Sequence, residues 1–181
     1  MAINPRRHRF TVDEYYAMGL PADARTELIE GDIIDMSPIG SPHAGITDQL
    51  SDLLRDAAGS LARVRVQQPM RLGPHNEPQP DLALVKPRPD YYRGAHPTAP
   101  DTYLVVEIAD SSLAEDLNVK VPLYARHAIP EVWVLDVNQS VLHVFCGLYE
   151  GKYTDADVVK APSARDLTAL PVRVDLSALW R

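Results

Sequence analysis

The chain has 181 residues, 45% of them hydrophobic and 24% charged, with 25 acidic side chains against 18 basic ones and a net charge of −7. A chain of this length buries about 70% of the surface that its unfolded form exposes, so it needs no disulfide or structural metal to fold. The single cysteine, Cys146, excludes an internal disulfide, and the acidic balance argues against a non-specific nucleic-acid binder that works through a broad basic field.

The N-terminal MAINPRRHRF carries basic residues with no apolar run behind them. Nowhere does the chain reach the ~20 apolar residues of a membrane span, so it reads as soluble, cytoplasmic and without membrane contact. Residues 10–18 are predicted to form a helix with Thr11 as N-cap and Glu14 completing a capping box. Residues 27–34 read as a hairpin that turns at Glu30-Gly31-Asp32. Residues 43–58 are the clearest helix, with Ile46, Leu50, Leu53, Leu54 and Ala57 on one stripe, Ser41 and Pro42 at its start and Gly59 at its stop. Strands follow over 64–72, 81–85 and 103–108; the third is apolar enough to be a central strand covered on both faces. A second helix over 112–128 repeats Leu113, Leu117, Val121, Tyr124 and Ala128, starts with a Ser112/Glu115 capping box and is interrupted by Pro122. Residues 131–137 form another apolar strand, and 141–145 with 152–159 an antiparallel pair. Residues 172–174 and 176–180 close the chain. Cys146 reads as a small buried hydrophobe, and one cysteine fits a reducing compartment. The 16 prolines gather in connecting segments, notably 69–80 and 87–100. Strands and helices alternate while hairpins occur at both ends. This predicts an α/β protein of the α+β kind, a single domain over 1–181 with a mixed sheet flanked by helices.

Three residues stand out against this background. Glu107 lies inside the apolar strand Leu104-Val-Val-Glu-Ile108, and a buried charge needs a partner, either an ion pair or a metal. Asp81 opens its strand directly after Pro80, where an acid can equally be a turn residue. Lys120 falls about 20° from Leu113 on a helical wheel, hence on the apolar stripe. It either snorkels to the edge or points at a buried carboxylate. Two acids and a lysine suit phosphodiester hydrolysis. Carboxylates hold a hard divalent cation such as Mg²⁺, which lowers the pKa of a bound water, and an ammonium stabilises charge on the phosphate. No zinc-spaced His or Cys cluster, no glycine-rich phosphate loop and no Ser/His/Asp arrangement is present, which removes zinc enzymes, ATPases and metal-free hydrolases of that type. Arg63, Arg65, Arg71, Lys86, Arg88 and Arg93 either line a local groove or form a solvated surface of mixed charge.

Pro80-Asp81 followed by Glu107-Ile108-Ala109 resembles the PD-(D/E)XK nuclease superfamily. Glu27-Leu-Ile-Glu-Gly31, Met36-Ser-Pro38 with His43, Pro80-Asp-Leu-Ala83 and Leu104-Val-Val-Glu-Ile108 are similar to the Uma-type restriction endonuclease family. So are Ser111-Ser112, Lys120, Leu123-Tyr-Ala-Arg126 and Ile129-Pro-Glu-Val-Trp-Val-Leu-Asp136, so that the likeness spans roughly residues 10–160. The resemblance implies a restriction-endonuclease-like fold and a Mg²⁺- or Mn²⁺-dependent endonuclease acting on DNA. It assigns Asp81 and Glu107 to the metal, Lys120 to catalysis from the following helix, and Glu27 as a further acid, where Glu30 is the substitute. Without the resemblance, Glu27 reads as an exposed hairpin charge. His43 is either a phosphate contact or a surface histidine. The chain departs from the superfamily at Ala109, where the usual lysine stands. That departure keeps open a catalytically inactive relative that acts as a nucleic-acid-binding or protein-interaction module. A homodimer follows from the need to cut both strands of a duplex.

Overall fold

A computed structural model describes residues 7–21 and 24–180; the reading of the first six residues lies outside them. Helix α1, Val12–Ala17, begins as its capping box requires: the Thr11 hydroxyl accepts from the Glu14 N–H at 3.2 Å, and the Glu14 carboxylate accepts from the Thr11 N–H at 2.7 Å. Strands β1, Thr26–Ile29, and β2, Asp32–Asp35, form the predicted hairpin. Its two turn residues, Glu30 and Gly31, both have positive φ, at 51° and 81°, the backbone that two-residue hairpins favour. Glycine is required at the second, because a Cβ there would lie 2.6 Å from the Arg9 Cβ. Helix α2, Ser41–Ala58, takes Gly40 rather than Ser41 as its N-cap and stops at Gly59.

Six strands build the main sheet in the order β3-β4-β5-β6-β7-β8: β3 Arg63–Val66, β4 Leu82–Val85, β5 Thr102–Ala109, β6 Val132–Asp136, β7 Val141–Tyr149 and β8 Lys152–Lys160. Only β5 and β6 run parallel in it. That pair needs a crossover, which the helical segment between them supplies. Strand β3 ends well before residue 72, because Gln67 takes a left-handed φ of 48° and sends its N–H to the Asp81 carbonyl. A short pair not foreseen in the sequence, β9 Ala164–Asp166 with β10 Arg173–Asp175, stands beside the sheet.

Alternation along the strands divides the core. One face carries Leu82, Leu84, Leu104, Val106, Ile108 and Trp133 against Leu50 and Leu54 of α2 and the C-terminal Val174 and Leu176. The other carries Val105, Val132 and Val134 against Met70, Leu72, Val121 and Tyr124. Glu107 belongs to this second face, two residues beyond Val105.

The second predicted helix is built of three pieces. Helix α3, Leu113–Glu115, leads into a π turn over Asp116–Lys120, and helix α4 follows as Val121–Arg126. The Val121 N–H reaches back five residues to the Asp116 carbonyl. Pro122 has no N–H with which to continue the four-residue ladder, so the widened turn sits where the sequence places that break. The Ser112/Glu115 capping box does not form; the Ser112 hydroxyl instead donates to the Asp116 carboxylate at 2.6 Å. Cys146 is only half-buried on β7, and burial together with Glu131 and Asp155 raises its thiol pKa. Among the described residues no helix is long and apolar enough to cross a membrane.

Candidate active site

The β4/β5 register sets Leu82 opposite Val106, and one step further outward sets Asp81 opposite Glu107. Asp81 is held from three sides. Its Oδ2 accepts from the Ile108 N–H at 2.8 Å and lies 3.0 Å from His43 Nε2, while its Oδ1 accepts from Gln67 Nε2 at 3.2 Å. Glu107 is 2% exposed. Its Oε1 accepts from the Tyr124 hydroxyl at 2.5 Å and lies 3.4 Å from Lys120 Nζ. Lys120 Nζ stands 3.1 Å from Glu27 Oε1, and Glu27 Oε2 accepts from the Gln79 N–H at 3.1 Å. These residues other than Tyr124, which supports Glu107 from behind, line one cavity of about 180 Å³ together with Asp116.

All five residues singled out in the sequence therefore meet at one end of the sheet, and three plain readings are corrected. Glu27 is not an exposed hairpin charge: it is buried, because the segment through Glu77 and Gln79 covers β1. Glu30, its substitute, sits at the turn and pairs with Arg126 outside the cavity. Lys120 is 7% exposed and does not snorkel. His43 is not a surface histidine, since its side chain is 15% exposed and bonded to Asp81. Sequence reasoning missed Asp116, Gln67 and Gln79, and took Tyr124 only for an apolar stripe residue. Asp116, four residues before Lys120 on one helical face, left a signal; the two glutamines left none. Of the six basic candidates, Arg71 turns to Asp13 and Glu77. Arg63, Arg65 and Arg88 lie over tyrosine rings beside β3 and β4.

Charge in the cavity is unbalanced, with three buried carboxylates around one ammonium. Burial works against the Lys120 charge, but Glu107, Glu27 and Asp116 outweigh it and raise the lysine pKa above its ordinary value. Burial raises the Glu107 pKa well above the usual carboxylate range, and the charges of Asp116, Asp81 and Glu27 add to this against the pull of Lys120. Asp116 is raised chiefly by burial, opposed by its Ser112 hydrogen bond. The His43 pKa is raised, first by its hydrogen bond to Asp81, against a smaller lowering by burial.

Among the described residues no three His, Cys, Asp or Glu side chains come together as a ready cage for a metal ion. The donors do fit a hard cation that keeps most of its waters. Asp81 and Glu107 offer carboxylate oxygens to one cavity, and among the described residues Glu107 Oε2 makes no hydrogen bond.

A mixed six-stranded sheet flanked by helices, with two acids and a lysine gathered at one end, defines an α+β fold of the restriction-endonuclease-like class. The same fold occurs in a crystal structure described as "a putative nuclease belonging to DUF820" from Anabaena variabilis. That protein is 17% identical, with a TM-score of 0.70 over 94% of this chain and 97% of that one. The chain belongs to the family described as "Uma2: Putative restriction endonuclease", which matches residues 12–178. No curated protein matches it.

Proposed function

We propose that this chain is a cytoplasmic endonuclease that hydrolyses phosphodiester bonds of DNA with the help of Mg²⁺ or Mn²⁺. One observation carries the reading: Asp81, Glu107 and Lys120 converge in one cavity, with the lysine fixed between Glu107 and Glu27. Asp81 and Glu107 would hold the cation, which when bound polarises the phosphoryl group and supplies a water of lowered pKa. Lys120 keeps its proton and presents a positive charge to the phosphate as negative charge develops there. Glu27 and the Tyr124 hydroxyl are positioning residues that aim Lys120 and Glu107. His43 orients the Asp81 carboxylate, and from the cavity lining it offers a further contact to phosphate. Ala109, at the position of the superfamily's usual lysine, is buried in apolar surroundings, so Lys120 takes that task. The working form is read as a homodimer, one site for each strand of a duplex.

A second reading, an inactive nucleic-acid-binding or protein-interaction module, is favoured by one observation: Lys120 already neutralises part of the acid cluster. Plasmid nicking separates the two. Wild type is expected to nick in millimolar Mg²⁺ or Mn²⁺ and to stop in chelator. Asp81→Asn, whose amide is a poorer cation ligand, should lose at least about 100-fold in rate. Equal nicking by both proteins, or none by wild type with either ion, would overturn the nuclease reading.

A further inference from the structure

Strand β3 lies at the edge of the main sheet and runs toward the cavity. Gln67, just beyond its end, touches Asp81 in the cavity wall. Pairing sets Arg65 opposite Ala83 and Arg63 opposite Val85, so the two arginines share one face of the strand about 6.8 Å apart. Val64 and Val66, on the other face, pack into the core.

The two arginines are unusual in their surroundings. Both are half-buried, yet no carboxylate of the described residues pairs with either, and the Nε of each is buried without an acceptor. In a chain of net charge −7, unpaired guanidiniums on an open strand face are costly to hold for packing alone. What they have instead is aromatic support. The Arg63 guanidinium lies 3.9 Å from the centre of the Tyr91 ring, Arg88 4.6 Å and Arg65 5.6 Å from that of Tyr92. Tyr92 is buried against Ala83 and Val85 and donates to the Lys86 carbonyl at 2.7 Å, which makes it a fixed platform. Tyr91 is 55% exposed and held at a φ of 54°, a backbone strained for a bulky residue. Arg88 is tied to Asp90, whereas Lys86 and Arg93 are exposed.

We propose that Arg63 and Arg65, with Tyr91 and the neighbouring Lys86 and Arg93, form a track that holds the phosphate backbone of a nucleic-acid strand as it leaves the cavity. The proposal rests on the nuclease reading for the track's purpose, not for its chemistry. Guanidiniums stacked on rings keep their terminal N–H edges free for phosphate oxygens. Their two-residue spacing suits successive phosphates of an extended strand, and an exposed tyrosine offers a face to a base. Complementary charge selects the occupant, since the remainder of this acidic chain repels a polyanion.

The experiment measures binding of a fluorescent oligonucleotide, single-stranded and duplex, by anisotropy in chelator, where no cutting competes. Arg63→Gln/Arg65→Gln should bind the single strand at least about 10-fold more weakly at low salt. The slope of log affinity against log salt should fall by about 1.4, the share of two neutralised phosphates. Tyr91→Ala, at an exposed site, should weaken single-strand binding about 5-fold or more with little change in that slope, and it remains informative if the double variant does not fold. Unchanged affinity and slope in these variants, no binding by wild type at low salt, or equal displacement by polyglutamate would overturn the track. Nicking is scored separately. Arginine-dependent binding without nicking supports the track and removes the nuclease reading; nicking at the wild-type rate by the double variant keeps that reading and removes the track.

Discussion

Lys120 stands between two buried carboxylates, so its truncation acts on the fold as well as on any reaction. Lys120→Met is expected to lower unfolding stability by about 3–5 kcal/mol, the cost of leaving buried charges without their partner. Glu107 softens that loss by taking a proton, since its pKa is already raised by burial and neighbouring acids. Lys120→Met/Glu107→Gln should recover much of the loss while any nicking stays abolished. Urea unfolding measures both variants, and a Lys120→Met protein as stable as wild type would mean the ion pairs contribute nothing. Glu107 was legible in the sequence because a charge inside an apolar strand has few fates. Lys120 was legible because it shares a stripe with leucines. Glu27 was legible only through family likeness. Its burial comes from the segment around Glu77 and Gln79, some fifty residues away, and local pattern is silent on such partners. Gln67 escaped notice for a similar reason, since its side chain matters only after β3 and β4 are paired.

Elements were read best where their signals are local. The α1 capping box, the β1/β2 turn and the Gly59 stop are each written within a few residues. The second helix was read less well. A wheel at a constant 100° per residue placed Lys120 inward, yet the backbone reaches that point through a π turn, whose wider winding lags behind such a wheel. Pro122 was the visible cue, and its effect was foreseen only as an interruption of the helix. The far end of the same segment makes a pH prediction. His127 caps α4, and its Nε2 accepts from Asn76 Nδ2 at 3.3 Å, while Asn76 Oδ1 accepts from the Glu30 N–H at 2.6 Å. Burial, then the charge of Arg126, lowers the His127 pKa from its ordinary value of 6.5. The unfolded chain therefore takes up this proton first. The stability contributed is present above about pH 6.5 and is lost as pH falls through the folded value. His127→Gln should flatten the melting-temperature profile between pH 7 and about 5. A wild-type profile no steeper than the variant's would show that His127 titrates freely in the folded state.

At the scale of the whole molecule, the mixture of hairpins and alternating elements gave the class of fold but not the order of strands. Parallel pairing of β5 with β6 is inferable from the helical segment between them; the antiparallel joining of β6 to β7 and of β4 to β5 depends on pairings that no short window records. The β9/β10 pair, three residues a side, is too short to leave a period. Among the described residues the sheet has two open edges, β3 and β8, and they are guarded differently. Edge β3 is four residues long, and two of them are arginines. Edge β8 is nine residues long and largely exposed, with Asp155 and Asp157 along it and Asp157 held by Arg165 at 2.7 Å. With those acids replaced, as in Asp155→Val/Asp157→Val, its centre would read Thr-Val-Ala-Val-Val-Val, an uncharged β-branched run of the kind that zips copies together. The double variant should begin with a native circular dichroism spectrum and then, on incubation, scatter light and bind thioflavin while wild type stays clear. If it stays clear as well, the edge is protected by its twist alone. The two carboxylates thus serve colloidal survival: they keep a sheet with unfinished hydrogen bonding from being completed by a neighbour.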